Sequence, residues 1–115
     1  MTQYSRSVLL ALLLGIGWLG LGTAQASPPL CAKDALEQAQ RLLVFHFGED
    51  DRIEIDPEVV EKAPLRNPAN KNQTFQVLEV WGTIYKGQYR MRLIYYPLGQ
   101  DCVLMGQEVL EYASL

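Results

Sequence analysis

The sequence predicts an α+β fold: one N-terminal helix packed on an antiparallel β-meander of about four strands. Three observations predict it. From residue 32 to residue 47 apolar side chains recur at three- and four-residue steps, the period of an amphipathic helix. After Gly48 the period falls to two, as in strands with one buried face. The later strand candidates are joined by segments short enough to be hairpin turns.

Ahead of that domain lies a leader. Arg6 supplies a positive n-region, residues 8–22 form an unbroken apolar run, and Ala24-Gln25-Ala26 is a small-x-small cleavage signal. This is the layout of a secretory signal peptide cut between Ala26 and Ser27. A permanent anchor is the competing reading, since a bilayer span takes about 20 apolar residues. Gly15, Gly17, Gly20 and Gly22 weaken the run as a span, and the cleavage signal follows it directly. Cys31 does not read as a lipidated cysteine, because Pro28-Pro29 stand where small residues would follow the apolar run. The expected organisation is a cleaved signal peptide over 1–26 and one small domain over 27–115. That domain is expected in the periplasm or outside the cell, with no membrane attachment after cleavage.

A domain this short buries a limited core, so a covalent staple matters to it. Cys31 and Cys102 are the only two cysteines. In an exported chain an even count reads as a disulfide, and only one intramolecular pairing exists. Closing a loop of about 70 residues is worth about 4 kcal/mol in the loop-entropy account. A metal centre is not expected, since two lone cysteines lack zinc-site spacing and the single histidine, His46, cannot complete a ligand set. With 10 basic and 13 acidic side chains, net charge −3, the chain predicts no nucleic-acid partner. No internal repeat or low-complexity tract is present.

On the helix, Ala32, Ala35, Leu36, Ala39, Leu42, Leu43 and His46 or Phe47 form the apolar stripe. Lys33, Asp34, Glu37, Gln38, Gln40 and Arg41 fall mostly opposite, and Gly48 is the expected C-cap. Ile53 and Ile55 then alternate with acids, and Pro57, Pro64 and Pro68 make this first strand an edge. Residues 74–85, 88–96 and 102–112 are the three stronger strand candidates. A two-residue turn at Lys86-Gly87 pairs Ile84 with Tyr89, Gly82 with Met91, Val80 with Leu93 and Leu78 with Tyr95, an apolar face that must meet the helix. The other face pairs Thr83 with Arg90, Trp81 with Arg92, Glu79 with Ile94 and Val77 with Tyr96. A one-residue slip would bury Arg90 and Arg92, which is too costly. In the last strand both alternating sets carry apolar residues, and Gly106 marks an expected bulge that switches faces.

In order of elements this is similar to the cystatin-like α+β roll, in which a sheet wraps one N-terminal helix. The likeness covers no motif. Cystatins carry a Gln-x-Val-x-Gly hairpin, and Gln76-Val77-Leu78-Glu79-Val80 lacks its glycine, so the resemblance does not imply protease inhibition, and fold alone does not assign function.

Most of the chemistry-bearing residues read as structural. Glu49, Asp50, Asp51, Glu54, Asp56 and Glu58 form a dense acidic stretch, but Gly48 lies outside it and no calcium-loop spacing follows. A solvated strand edge is the expectation. His46 has no evident nucleophile to activate, no Gly-x-Ser-x-Gly is present, and no phosphate-binding glycine loop occurs. No catalytic residue and no cofactor are therefore assigned.

The second sheet face remains. Trp81, Thr83, Tyr85, Arg90, Arg92, Ile94 and Tyr96 combine aromatic surface with fixed positive charge, and Trp and Arg dominate binding hot spots. Arg92 stacked on Trp81 would add a cation–π term. The functional expectation is a small exported binding module, such as an inhibitor or accessory factor for another secreted or periplasmic protein, and not an enzyme. The alternatives are a small-ligand carrier, whose cavity Phe45, Phe47, Tyr89 and Tyr95 would tend to fill, and a small hydrolytic enzyme.

Overall fold

The computed structural model describes residues 27–112. The expected signal peptide and its cleavage point at Ala26 lie at or beyond the edge of the described residues. One helix, α1 (Ala32–Phe47), is followed by five strands: β1 (Ile53–Ile55), β2 (Val60–Arg66), β3 (Thr74–Ile84), β4 (Gly87–Leu98) and β5 (Asp101–Tyr112). All strand pairings are antiparallel. The fold is thus the predicted α+β arrangement, and its outline is compatible with a roll around one helix.

The helix forms where its stripe requires it. Ala35, Ala39, Leu42 and Leu43 are buried, Asp34 stands in the positive first turn, and Gly48 closes the last turn at φ 83°, its N–H donating to the Val44 carbonyl. Two phenylalanines depart from expectation. Phe45 is 82% exposed and Phe47 45%, so neither fills the space between helix and sheet. The stripe turns away from the sheet at the last turn of α1, and Phe47 only touches the Tyr89 ring at a 4.7 Å centroid distance.

The core is a single layer between α1 and the inner sheet face, with Leu78, Val80, Met91, Leu93 and Tyr95 fully buried against Ala35, Ala39 and Leu43. A Cβ on Gly82 would stand 2.9 Å from Leu43 Cδ1. The helix can approach the sheet there only because position 82 carries no side chain. The Tyr95 hydroxyl donates to Asp34 Oδ2 at 2.6 Å, which ties the first helical turn to β4 and gives a buried phenol its partner. Burial and the Asp34 carboxylate together push the Tyr95 hydroxyl pKa upward. The predicted staple is present: Cys31 and Cys102 are joined, with Cα atoms 5.8 Å apart, fixing the helix start to the beginning of β5.

Four strand positions hold the five strands. Both β1 and β2 pair with the same edge of β3, Ile53–Ile55 against 82–84 and Val60–Arg66 against 74–79. The edge strand anticipated from Ile53 onward is therefore one ladder broken in two. Pro64 falls at the irregularity between Lys62 and Leu65, where a residue without an N–H is tolerated. On the far side, the bulge foreseen at Gly106 lies between Leu104 and Gly106, so that Tyr95 faces Leu104 while Ile94 faces Gly106.

The β3–β4 register differs from expectation by two residues. The turn is Tyr85-Lys86, with Tyr85 at φ 56°, and the pairs are Ile84 with Gly87, Gly82 with Tyr89, Val80 with Met91, Leu78 with Leu93, Trp81 with Arg90 and Glu79 with Arg92. A slip of two leaves every side chain on its own face, so alternation cannot decide it. Two contacts can. The Tyr89 ring lies over Gly87, where a Cβ would be 2.7 Å from its hydroxyl. The shift also sets Glu79 opposite Arg92 instead of Ile94, replacing an unmatched carboxylate with a cross-strand ion pair.

Candidate functional site

The outer sheet face is built in rows. Glu54, Thr83, Gln88 and Tyr112 stand across β1, β3, β4 and β5. Next come Trp81, Arg90 and Leu110, with the Asp56 N–H donating to the Trp81 carbonyl at the edge. The third row is Val60, Glu79, Arg92 and Glu108, and the fourth Lys62, Val77, Ile94 and Gly106. One end is polar, the centre charged and aromatic, and the other end apolar, where Phe75 and Tyr96 meet edge to face.

At the centre is a residue absent from the expected site, Glu79. It is only 7% exposed although no second layer lies over it. Its Oε2 accepts from Arg92 Nε at 3.0 Å, its Oε1 accepts from the Trp81 indole N–H at 3.2 Å, and Arg90 Nε stands 4.0 Å from Oε2. Burial alone would raise the Glu79 carboxyl pKa, but the hydrogen bonds from Arg92 and Trp81 and the charge of Lys62 outweigh it and hold the group below its ordinary value. The carboxylate orients Trp81 and Arg92 from beneath, so these two contact-forming side chains are held rather than free to rotate.

The cation–π contact expected between Arg92 and Trp81 is not made, because Glu79 takes both partners. Trp81 packs instead on Tyr112, with centroids 5.2 Å apart and planes tilted by 40°. Arg90 donates through Nη1 to the Tyr112 hydroxyl at 3.2 Å and lies 6.0 Å from its ring centroid. Of the expected residues, Trp81, Thr83, Arg90, Arg92, Ile94 and Tyr96 share this face. Tyr85 does not. It sits in the hairpin turn, 68% exposed, with the Arg52 guanidinium 5.3 Å from its ring centroid.

Two further residues belong here that the sequence left undecided. Leu110 and Tyr112 fall on the outer face because the bulge exchanges the sides of β5. Together with Val103 and the bulge residue Met105 they remain between 37% and 53% exposed. Exposed apolar side chains thus stand in two groups along β5, Leu110 and Tyr112 at one end and Val103 and Met105 at the other, with Gly106 and Glu108 between them. The signal for Glu79 was present: it is the one acid in an otherwise apolar stretch of β3, a placement that demands a partner.

The acidic stretch behaves as a solvated edge. Asp50 accepts from the Arg52 backbone N–H and from Nε and Nη2 of its guanidinium, which lowers its pKa to about 2. Asp56 Oδ1 accepts from the Glu58 N–H. Among the described residues no group of three or more His, Cys, Asp or Glu side chains is placed to hold a metal ion. No helix among them is long and apolar enough to cross a membrane. Compared with protein-family models, curated proteins and solved structures, the chain matches none.

Proposed function

We propose that this chain is a small exported binding module, of the inhibitor or accessory-factor kind, that docks onto another exported protein through the outer face of its sheet. The observation that carries the reading is the composition of that face. Trp81 and Arg92 are locked by the buried Glu79, and beside them Leu110 and Tyr112, and farther along β5 Val103 and Met105, are exposed with no layer over them. Preorganised aromatic and arginine anchors with adjoining apolar surface are what protein hot spots are made of, and such a face on a small domain calls for a partner. The Cys31–Cys102 disulfide suits an oxidising, exported compartment. A ligand carrier finds less support, because the space between α1 and the sheet is occupied by Leu43, Met91 and Tyr95.

Site-specific photo-crosslinking in the producing cell tests the reading. A photoreactive residue at Leu110, on the outer face, is expected to trap one heterologous exported protein, and the same residue at Gln40, on the exposed side of α1, is not. Equal adducts from both positions, or adducts only with a second copy of this chain, would overturn it.

A further inference from the structure

The broken edge of the sheet leaves a depression. Asp56 is opposite Trp81 and Val60 is opposite Glu79, so three residues, 57–59, span the length that Val80 alone spans on β3. Their excursion, with the polar end of the outer face, encloses a cavity of about 500 Å³ whose lining includes Glu54, Asp56, Pro57, Trp81, Thr83 and Gln88. Trp81 is its aromatic wall, Glu54 and Asp56 give it negative charge, and Thr83 and Gln88, neighbours across β3 and β4, offer neutral hydrogen-bonding groups. The nearby cations are committed elsewhere: Arg52 pairs with Asp50, and Arg90 and Arg92 face Glu79. Among the described residues neither Glu54 nor Asp56 is in an ion pair.

We infer that this cavity is a recognition pocket for a cationic side chain, the guanidinium or ammonium of an Arg or Lys. The inference deepens the docking reading, on which it rests for the source of that side chain: the partner inserts a cation here while its apolar residues lie along β5. An indole wall gains from a cation over its face, and two carboxylates at the rim reject anions and supply attraction that salt screens. A neutral ligand of the same shape forfeits both terms. The cavity volume lies in the range of small-molecule sites, ample for one side chain.

The probe is N-acetyl-arginine amide, with its neutral isostere N-acetyl-citrulline amide as control. NMR of the oxidised protein recovered from the exported fraction reads the Trp81 indole N–H resonance, identified by its disappearance in Trp81→Phe. The expected result is a saturable shift with the arginine probe, with a dissociation constant on the order of millimolar as befits one side chain. Glu54→Gln and Asp56→Asn are each expected to weaken it about threefold at low salt, the size of one exposed charge interaction, with backbone spectra unchanged. Equal binding of the citrulline probe, absence of saturation, or wild-type affinity in both neutralised variants would overturn the pocket. Because no partner is needed, failure here with a successful Leu110 crosslink refutes the pocket and spares the docking face, and the converse outcome refutes the face alone.

Discussion

Replacing Glu79 with Gln removes the charge at the centre of the outer face while keeping its shape. The carboxylate accepts a close hydrogen bond from the charged Arg92 Nε at 3.0 Å and a longer one from the neutral Trp81 indole at 3.2 Å. Gln retains an oxygen for one donor and turns an NH₂ toward a guanidinium, so the charged bond is the one lost. Such bonds contribute about 1.5–3 kcal/mol when well protected. The Arg92 side chain is 34% exposed, so solvent screens part of this, and the expected loss is about 1–2 kcal/mol. For a domain of this size that lowers Tm by about 5–10 °C. The pH dependence has a definite sign. Because the native carboxyl lies below its ordinary value of 4.5, its contribution is complete above that value and is lost as pH falls through the lowered native one. Urea unfolding followed by circular dichroism at pH 7 and at pH 3 is the assay. The gap between wild type and Glu79→Gln should be open at pH 7 and narrower at pH 3. A gap of the same size at both pH values, or a Gln variant as stable as wild type at pH 7, refutes the role assigned to Glu79.

Three more outcomes are expected. Thiol titration of the denatured, unreduced protein should find no free cysteine, and the Cys31→Ser, Cys102→Ser double variant should lose about 4 kcal/mol of stability. Tyr95→Phe removes the donor to Asp34 and should cost about 1–2 kcal/mol in chemical denaturation. Leu93→Ala, at a fully buried position, should cost about 2–5 kcal/mol, whereas Leu110→Ala on the exposed face should stay within about 0.5 kcal/mol; equal losses in thermal melts would place Leu110 in the fold's own packing.

Much of the architecture was legible because it is written locally. The apolar stripe and Gly48 bound α1 at both ends, and strict alternation assigned the inner and outer faces of β3 and β4. Two cysteines left a single pairing. Alternation has period two, so it is blind to a slip of two, and the true β3–β4 pairing had to come from contacts distant in sequence, Glu79 with Arg92 and Tyr89 over Gly87. The same blindness hid Glu79 from the site: its value lies in what stands opposite it, and that depends on register. The prolines of the edge segment obscured β2, whose pairing is set by the β3 edge it completes. Gly106 announced a bulge, but which side of β5 it would turn outward depended on the pairing with β4. What the sequence determined by itself about this protein is which residues form α1, β3, β4 and β5 and which side of the central strands is apolar, since both follow from neighbours within a few residues. What only the tertiary structure decided is which side chains meet across strands, because facing pairs are chosen by long-range packing and charge matching, and that choice places Trp81, Arg90 and Arg92 around one buried carboxylate.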